Sequence, residues 1–163
     1  GVEFSTGALG HGYPIASGVA KALKLKKNSN FVYCLLGDGE INEGSIWEAA
    51  LSVSKHKLNN LITMIDYNKM QSYDFNKNVL NLEPLAQKWK SFGFNVLESN
   101  GHDIKDIYRK ILLAKKSNKP PVIIFHTIKG KGIKSAENNK YWHHTANLKK
   151  EELIKISEEL NSK

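Results

Sequence analysis

A single cysteine among 163 residues leaves this chain without an internal disulfide. Cys34 sits inside an apolar run and reads as a small buried hydrophobe, which fits a cytoplasmic chain better than a secreted one. No apolar run has the roughly 20 residues that a membrane helix needs, no signal segment opens the sequence, and no N-x-[ST] glycan acceptor occurs. Internal repeats and low-complexity linkers are missing as well. So is an initiator methionine, the chain beginning Gly1-Val2-Glu3-Phe4. The net charge of +8 is spread over scattered lysines, with no dense basic block beyond Lys24-Leu25-Lys26-Lys27. That pattern reads as a solvated surface. Steering of phosphorylated substrates and binding of a polyanion are weaker readings, and no nucleic-acid or membrane partner is expected. What remains is one domain of ordinary composition, 40% hydrophobic and 25% charged, long enough for a real core.

The informative stretch runs from residue 37 to residue 70. The apolar run Phe31-Val32-Tyr33-Cys34-Leu35-Leu36 ends in Gly37-Asp38-Gly39, and the second run Leu61-Ile62-Thr63-Met64-Ile65 leads shortly to Asn68. Between them Ile46, Trp47, Ala50, Leu51 and Ser54 recur at helical spacing. This is a strand, helix, strand unit. A six-residue strand rises roughly 20 Å, and a helix over residues 45–57 returns about 20 Å. Asp38 and Asn68 therefore end on the same carboxyl edge of a parallel sheet, where open α/β sheets bind ligands. Both are hard oxygen ligands suited to Mg²⁺. Gly37 and Gly39 let the backbone turn tightly and approach a ligand, and the following helix points its N terminus at the same spot, which suits a diphosphate. Taken alone, Gly-Asp-Gly is more often a simple turn; the paired Asn68 changes that balance.

The remaining segments repeat the alternation. A glycine-rich loop, Ser5-Thr6-Gly7-Ala8-Leu9-Gly10-His11-Gly12, leads into a helix over 13–25. Residues 69–81 are polar and read as a loop over the site. A helix over 82–92 is expected, with Pro84 in its first turn and Gly93 as its stop, then a strand over 93–97. Asp103 lies in a turn that caps a helix over 104–116. Pro120-Pro121 breaks the chain before a fully buried strand over 122–125. A last helix over 148–160 carries Leu153, Ile156 and Leu160 on one face, with Asn147 as its cap. The fold class is α/β, a mostly parallel sheet with helices on both faces. After the fourth strand, Thr127-Ile128-Lys129-Gly130-Lys131-Gly132 puts a cation at the same edge without the Lys-Ser/Thr ending of a P-loop. Tyr141-Trp142-His143-His144 follows, its adjacent histidines facing different ways and so not forming a helical metal pair.

Gly37-Asp38-Gly39 followed thirty residues later by Asn68 resembles the thiamine diphosphate motif, and the whole stretch over 37–71 is similar to transketolases. The resemblance covers nearly all of the chain in four segments, and it implies the cofactor-binding domain fold, with its N-terminal part missing from residues 1–163. It implies Mg²⁺ ligands at Asp38, Asn68 and the carbonyl of Met70. It places the cofactor against Gly7, Ala8, Leu9, Gly37, Gly39, Glu43, Asn68, Lys129 and His143, with Glu43 also near a subunit interface. His143 falls in the family's Trp-His-Gly pattern near the reacting carbon and would be the catalytic residue here; His144 replaces the glycine and could narrow the substrate entrance. The role of His11, at a position variable in the family, reads as loop packing.

The implied activity is transfer of a two-carbon glycolaldehyde unit between sugar phosphates or related sugars. The implied partner is a pyrimidine-domain transketolase subunit, in a homo- or hetero-oligomer, because the glutamate that activates the cofactor lies outside this sequence. Residues 1–163 thus resemble the diphosphate-binding subunit of a split transketolase, or a fragment of one. Two alternatives stay open: another thiamine diphosphate enzyme, either 1-deoxyxylulose-5-phosphate synthase or a 2-oxoacid dehydrogenase E1 component, and a non-catalytic assembly module of the same fold.

Overall fold

The computed structural model describes residues 1–72, 74–142 and 147–161. Helix α1 (Gly12–Leu25) precedes strand β1 (Val32–Gly37), a 3-10 turn over Gly39–Asn42 and helix α2 (Gly44–Lys55). Strand β2 (Leu61–Tyr67), the short helix α3 (Asn76–Val79) and helix α4 (Leu85–Ser91) follow. Strand β3 (Asn95–Asn100), helix α5 (Ile104–Lys115), strand β4 (Pro121–His126), a 3-10 turn over Lys140–Trp142 and helix α6 (Lys150–Asn161) complete the order. The four strands are parallel and lie in the order β1-β2-β4-β3, so β4 enters between β2 and β3.

Period-2 alternation sorts the strand side chains onto two faces. Cys34, Leu36, Leu61, Ile65, Val122 and Ile124 turn to the face covered by α1, α2 and α4. Its centre is Trp89, fully buried, with ring centroids 4.9 Å from Phe94, 5.2 Å from Trp47 and 6.1 Å from Tyr13. Thr63, also fully buried on that face, donates its hydroxyl to the Tyr13 oxygen at 3.2 Å. Ile62, Ile123 and Phe125 face the other way, under α5 with Ala114, Ile107 and Ile111. Helices on both faces are what an all-parallel sheet requires. Burial pushes the Cys34 thiol up to about 12, so it packs as an inert hydrophobe. Among the described residues no helix is long and apolar enough to cross a membrane.

Four expectations shift. The helix expected over 82–92 begins only at Leu85, because a proline forces the residue before it out of helical geometry; Pro84 is extended and Glu83, not Pro84, accepts from the Leu85 N–H at 3.1 Å. The third strand starts at Asn95 rather than 93, since Gly93 at φ +90 is spent ending α4. The loop over 69–81 contains a bridge between Met70 and Phe75 and the turn of α3. Helix α6 starts at Lys150, two residues later than expected, so Asn147 is not adjacent to it, and Glu152 in its first turn accepts from Lys149 N at 2.7 Å. Its expected apolar stripe stays outside the core, with Leu153 and Leu160 about half exposed.

Candidate cofactor and metal site

The site is built where β1 and β2 stop. Gly37 lies opposite Asp66 at the ends of the two strands, and the Asp38 N–H donates to the Asp66 carbonyl at 3.2 Å. The chain then tightens into the 3-10 turn, and the Asp38 carboxylate caps it by accepting from Gly39 N at 2.8 Å. Its other oxygen accepts from Lys69 N at 2.5 Å. Lys69 reaches it by adopting φ +67, a left-handed conformation rare for a side-chain-bearing residue, so backbone strain is spent on holding this one carboxylate. Asn68 accepts from Met70 N at its Oδ1, 3.0 Å, and donates its Nδ2 towards Asp66 at 3.4 Å. Asp38, Asn68 and Met70, some thirty positions apart in sequence, are brought together by these bonds.

Asp38 is 1% exposed. Burial pushes its carboxyl up to about 6, against the pull of the Lys69 and Gly39 N–H groups; the Asp66 charge raises it further and Asn76 lowers it. The groups acting on it include no lysine, arginine or histidine side chain. A buried carboxylate normally carries a paired cation, and this one has only N–H donors. The same corner holds the Asn76 side chain, 4% exposed and set against the Asp38 carboxylate, and among the described residues its Oδ1 and Gln71 Nε2 are buried without a hydrogen-bond partner. Close approach is built in too. A Cβ on Gly39 would sit 2.7 Å from Gln71 Cβ, and one on Gly10, at φ +78, would sit 2.7 Å from Glu43 Cβ. A carboxylate, an amide oxygen and backbone carbonyls form a hard-oxygen set. Among the described residues no cluster of three His, Cys, Asp or Glu offers a rival metal site.

The raised Asp38 carboxyl has a stability consequence. The folded chain holds this proton more tightly than the unfolded chain does, so the stabilisation is complete below about pH 4 and lost as pH rises through about 6. In metal-free protein, the unfolding free energy of wild type minus that of Asp38→Asn should fall across that window by at most about 3 kcal/mol. Urea titrations at pH 4 and pH 7 read it directly; a difference that rises with pH would contradict this sign.

The other predicted residues are placed as follows. Gly7, Ala8 and Leu9 lie exposed in the loop before α1. That loop is pinned to the turn after β1, since Gly10 N donates to Glu40 Oε1 at 3.0 Å and Ser45 Oγ donates to the Gly10 carbonyl at 2.9 Å. Glu43 is the residue preceding α2, exposed, with its Cβ set close to Gly10. Lys129 lies in the turn after β4, on the edge shared with β2, its carbonyl accepting from Asn138 N at 3.0 Å. Gly130, at φ +76, folds that turn against Ala136 too closely for any side chain. His143 and His144 lie outside the described residues. Sequence reasoning passed over Glu40, Asp66, Gln71, Asn76 and Thr127. Only Asp66 had a signal to offer, being an acidic residue directly after an apolar run.

Comparison with known proteins places this geometry. The family model described as "Transketolase, thiamine diphosphate binding domain" matches residues 1–163. The chain is 46% identical, over 88% of its length and 52% of the relative's, to an apulose-4-phosphate transketolase subunit of Actinobacillus succinogenes. It is 42% identical to the protein of the same name from Phocaeicola vulgatus, over 98% of this chain and 58% of that one. To the 6-deoxy-6-sulfo-D-fructose transketolase subunit SqwG of a Clostridium species it is 41% identical, over 84% and 50%. The chain thus spans about half the length of these relatives. Among solved structures, the transketolase of Campylobacter jejuni superposes with a TM-score of 0.89 at 35% identity, over 99% of this chain and 26% of that one.

Proposed function

The chain belongs to the transketolase family, matching its thiamine diphosphate-binding domain over all 163 residues, and from that premise we propose that it supplies the diphosphate and Mg²⁺ half of a ketol-transfer site. Asp38, the Asn68 amide oxygen and the Met70 carbonyl would hold the metal. Gly7, Ala8, Leu9, Gly37, Gly39, Glu43 and Lys129 would line the cofactor, with Lys129 set against the diphosphate charge. His143 would stand near the reacting carbon. The observation that carries the reading is the Asp38 carboxylate, 1% exposed and held by two backbone N–H donors with no cation acting on it. A divalent ion supplies the missing charge.

When bound, thiamine diphosphate supplies the carbon nucleophile that takes up and passes on a two-carbon unit. The residues of this chain bind and orient it. Asp38 and Asn68, each one residue past the end of a packed strand, are held by hydrogen bonds before the ligand arrives, which lowers the ordering cost of binding. Metal binding needs Asp38 ionised, so the apparent Mg²⁺ affinity should decline as pH falls below about 6. Glu43, beside Gly10 at the start of α2, is the natural link to a neighbouring protomer. Relatives whose names call them transketolase subunits imply an accompanying chain, and this protein would likewise act with a pyrimidine-domain partner. By the relatives' printed names, sugar phosphates and a sulfosugar are the substrate classes to test first.

The test is calorimetric titration of thiamine diphosphate into the protein assembled with its partner chain, in Mg²⁺ and again in excess EDTA. Binding seen only with the metal is the expected result. An assembled, folded protein that binds no cofactor in either buffer would overturn the proposal.

A further inference from the structure

One acidic side chain at this edge has no part in the cofactor and metal roles proposed so far. Asp66, on β2, faces the α5 side of the sheet, and three separate elements converge on it. Its carbonyl accepts from Asp38 N at 3.2 Å. One carboxylate oxygen, Oδ2, accepts from Asn68 Nδ2 at 3.4 Å. The other, Oδ1, accepts a short hydrogen bond from the Thr127 hydroxyl, just past the end of β4. Thr127 is itself fixed, its N–H donating to the Tyr67 carbonyl at 3.2 Å. On its far side a Cβ at Gly101, in the turn after β3, would overlap the Thr127 methyl and lie 3.1 Å from Phe125 Cβ. The next residue is held as well, Ile128 N donating to His102 Nε2 at 2.8 Å.

The two ends of an asparagine amide are nearly equal in size and opposite in chemistry: one accepts hydrogen bonds or binds cations, the other only donates. Something must choose between them at a metal site. The Asp66 Oδ2 accepts from the NH₂ end and the Met70 N–H donates to the oxygen end, so the two partners together select this orientation. With Nδ2 drawn to Asp66, the Asn68 Oδ1 is turned to the side where Met70 N meets it at 3.0 Å. We infer that Asp66 is a positioning residue which, clamped by the Thr127 hydroxyl, fixes the Asn68 amide with its oxygen towards the metal side of the turn. The inference rests on the metal role proposed above for Asn68. It adds a chain of contacts, Gly101 to Thr127 to Asp66 to Asn68, that links the turn after β3 to the metal ligand across three parallel strands. The links are side-chain bonds and a close contact, not ladder hydrogen bonds, so they can be broken one at a time.

The experiment uses Mn²⁺ as the probe, its free concentration followed by electron paramagnetic resonance in the assembled protein with thiamine diphosphate present. Asp66→Asn can offer either amide end to Asn68, and Thr127→Val removes the clamp while keeping the shape. Each should weaken Mn²⁺ binding about tenfold, the lower end for outer partners of metal ligands. The double variant should be no weaker than Asp66→Asn alone, because both changes cut the same chain. Thr127→Ser, which restores the hydroxyl, should lie within about twofold of wild type. A purely structural role would instead lower the melting temperature and leave Mn²⁺ affinity untouched. That result, or a Thr127→Ser protein as weak as Thr127→Val, overturns the inference. If wild type itself binds no Mn²⁺, the metal reading falls and this inference with it; binding by wild type with unchanged variants sinks the inference alone.

Discussion

Asp38→Ala is expected to weaken Mg²⁺-dependent binding of thiamine diphosphate by at least about a hundredfold, the upper end for outer partners of a metal ligand and a lower bound for a ligand itself. The expectation follows from the surroundings of the carboxylate more than from its identity. Asp38 is 1% exposed, receives the Gly39 and Lys69 N–H groups, and has no side-chain cation acting on it. Its removal takes away the charge that a divalent ion would meet and leaves two N–H donors turned on an empty corner. Calorimetry with and without Mg²⁺ reads the effect. Residual binding of the variant should no longer depend on the metal, and a variant that keeps metal-dependent affinity within a few fold of wild type would remove Asp38 from the site. A melting curve accompanies the titration. Loss of the buried charge offsets part of the stability lost with the two hydrogen bonds, so Asp38→Ala should remain folded.

Trp89→Ala should have the largest effect on the fold, a loss of about 3–5 kcal/mol against a total stability of about 5–15 kcal/mol for a domain of this kind. The ring is fully buried and meets Tyr13 of α1, Trp47 of α2 and Phe94 ahead of β3. Three elements are thereby joined on that face through one side chain. Its indole N–H has no hydrogen-bond partner among the described residues. Trp89→Phe therefore loses packing but also removes an unsatisfied buried donor, whose burial costs about 1–3 kcal/mol. The pair should separate clearly in urea titration, with the phenylalanine variant close to wild type and the alanine variant unfolding several kcal/mol earlier. Equal losses in both would mean that the orphan donor is not buried as described. Because α2 opens directly behind the turn that carries Asp38 and Glu43, the alanine variant should also lose cofactor affinity at temperatures where it is still mostly folded.

The parts of this protein that its sequence determined alone are those carried by neighbouring residues. Alternation of apolar runs with helical periodicity is a local property, and it was enough to place strands near Val32–Gly37 and Leu61–Tyr67 with α2 between them. Strand and helix rises then put Asp38 and Asn68 at one edge before any contact was known. Gly93 as a helix stop and Asp103 as a cap were equally legible, because φ +90 and a side chain accepting from Lys105 and Asp106 N–H groups are decided within a few residues. Boundaries slipped where two local rules competed, as at Pro84.

Tertiary structure decided what depends on residues far apart in the chain. The insertion of β4 between β2 and β3 is a matter of strand pairing, and only that order sets Thr127 beside Asp66, 61 positions away. The left-handed turn at Lys69, which aims its N–H at Asp38, is likewise invisible in a run of polar residues. The apolar stripe of α6 shows the converse. Its periodicity was plain and its helix formed, yet Leu153 and Leu160 remain about half exposed, because amphipathic spacing specifies that a face exists and not what covers it.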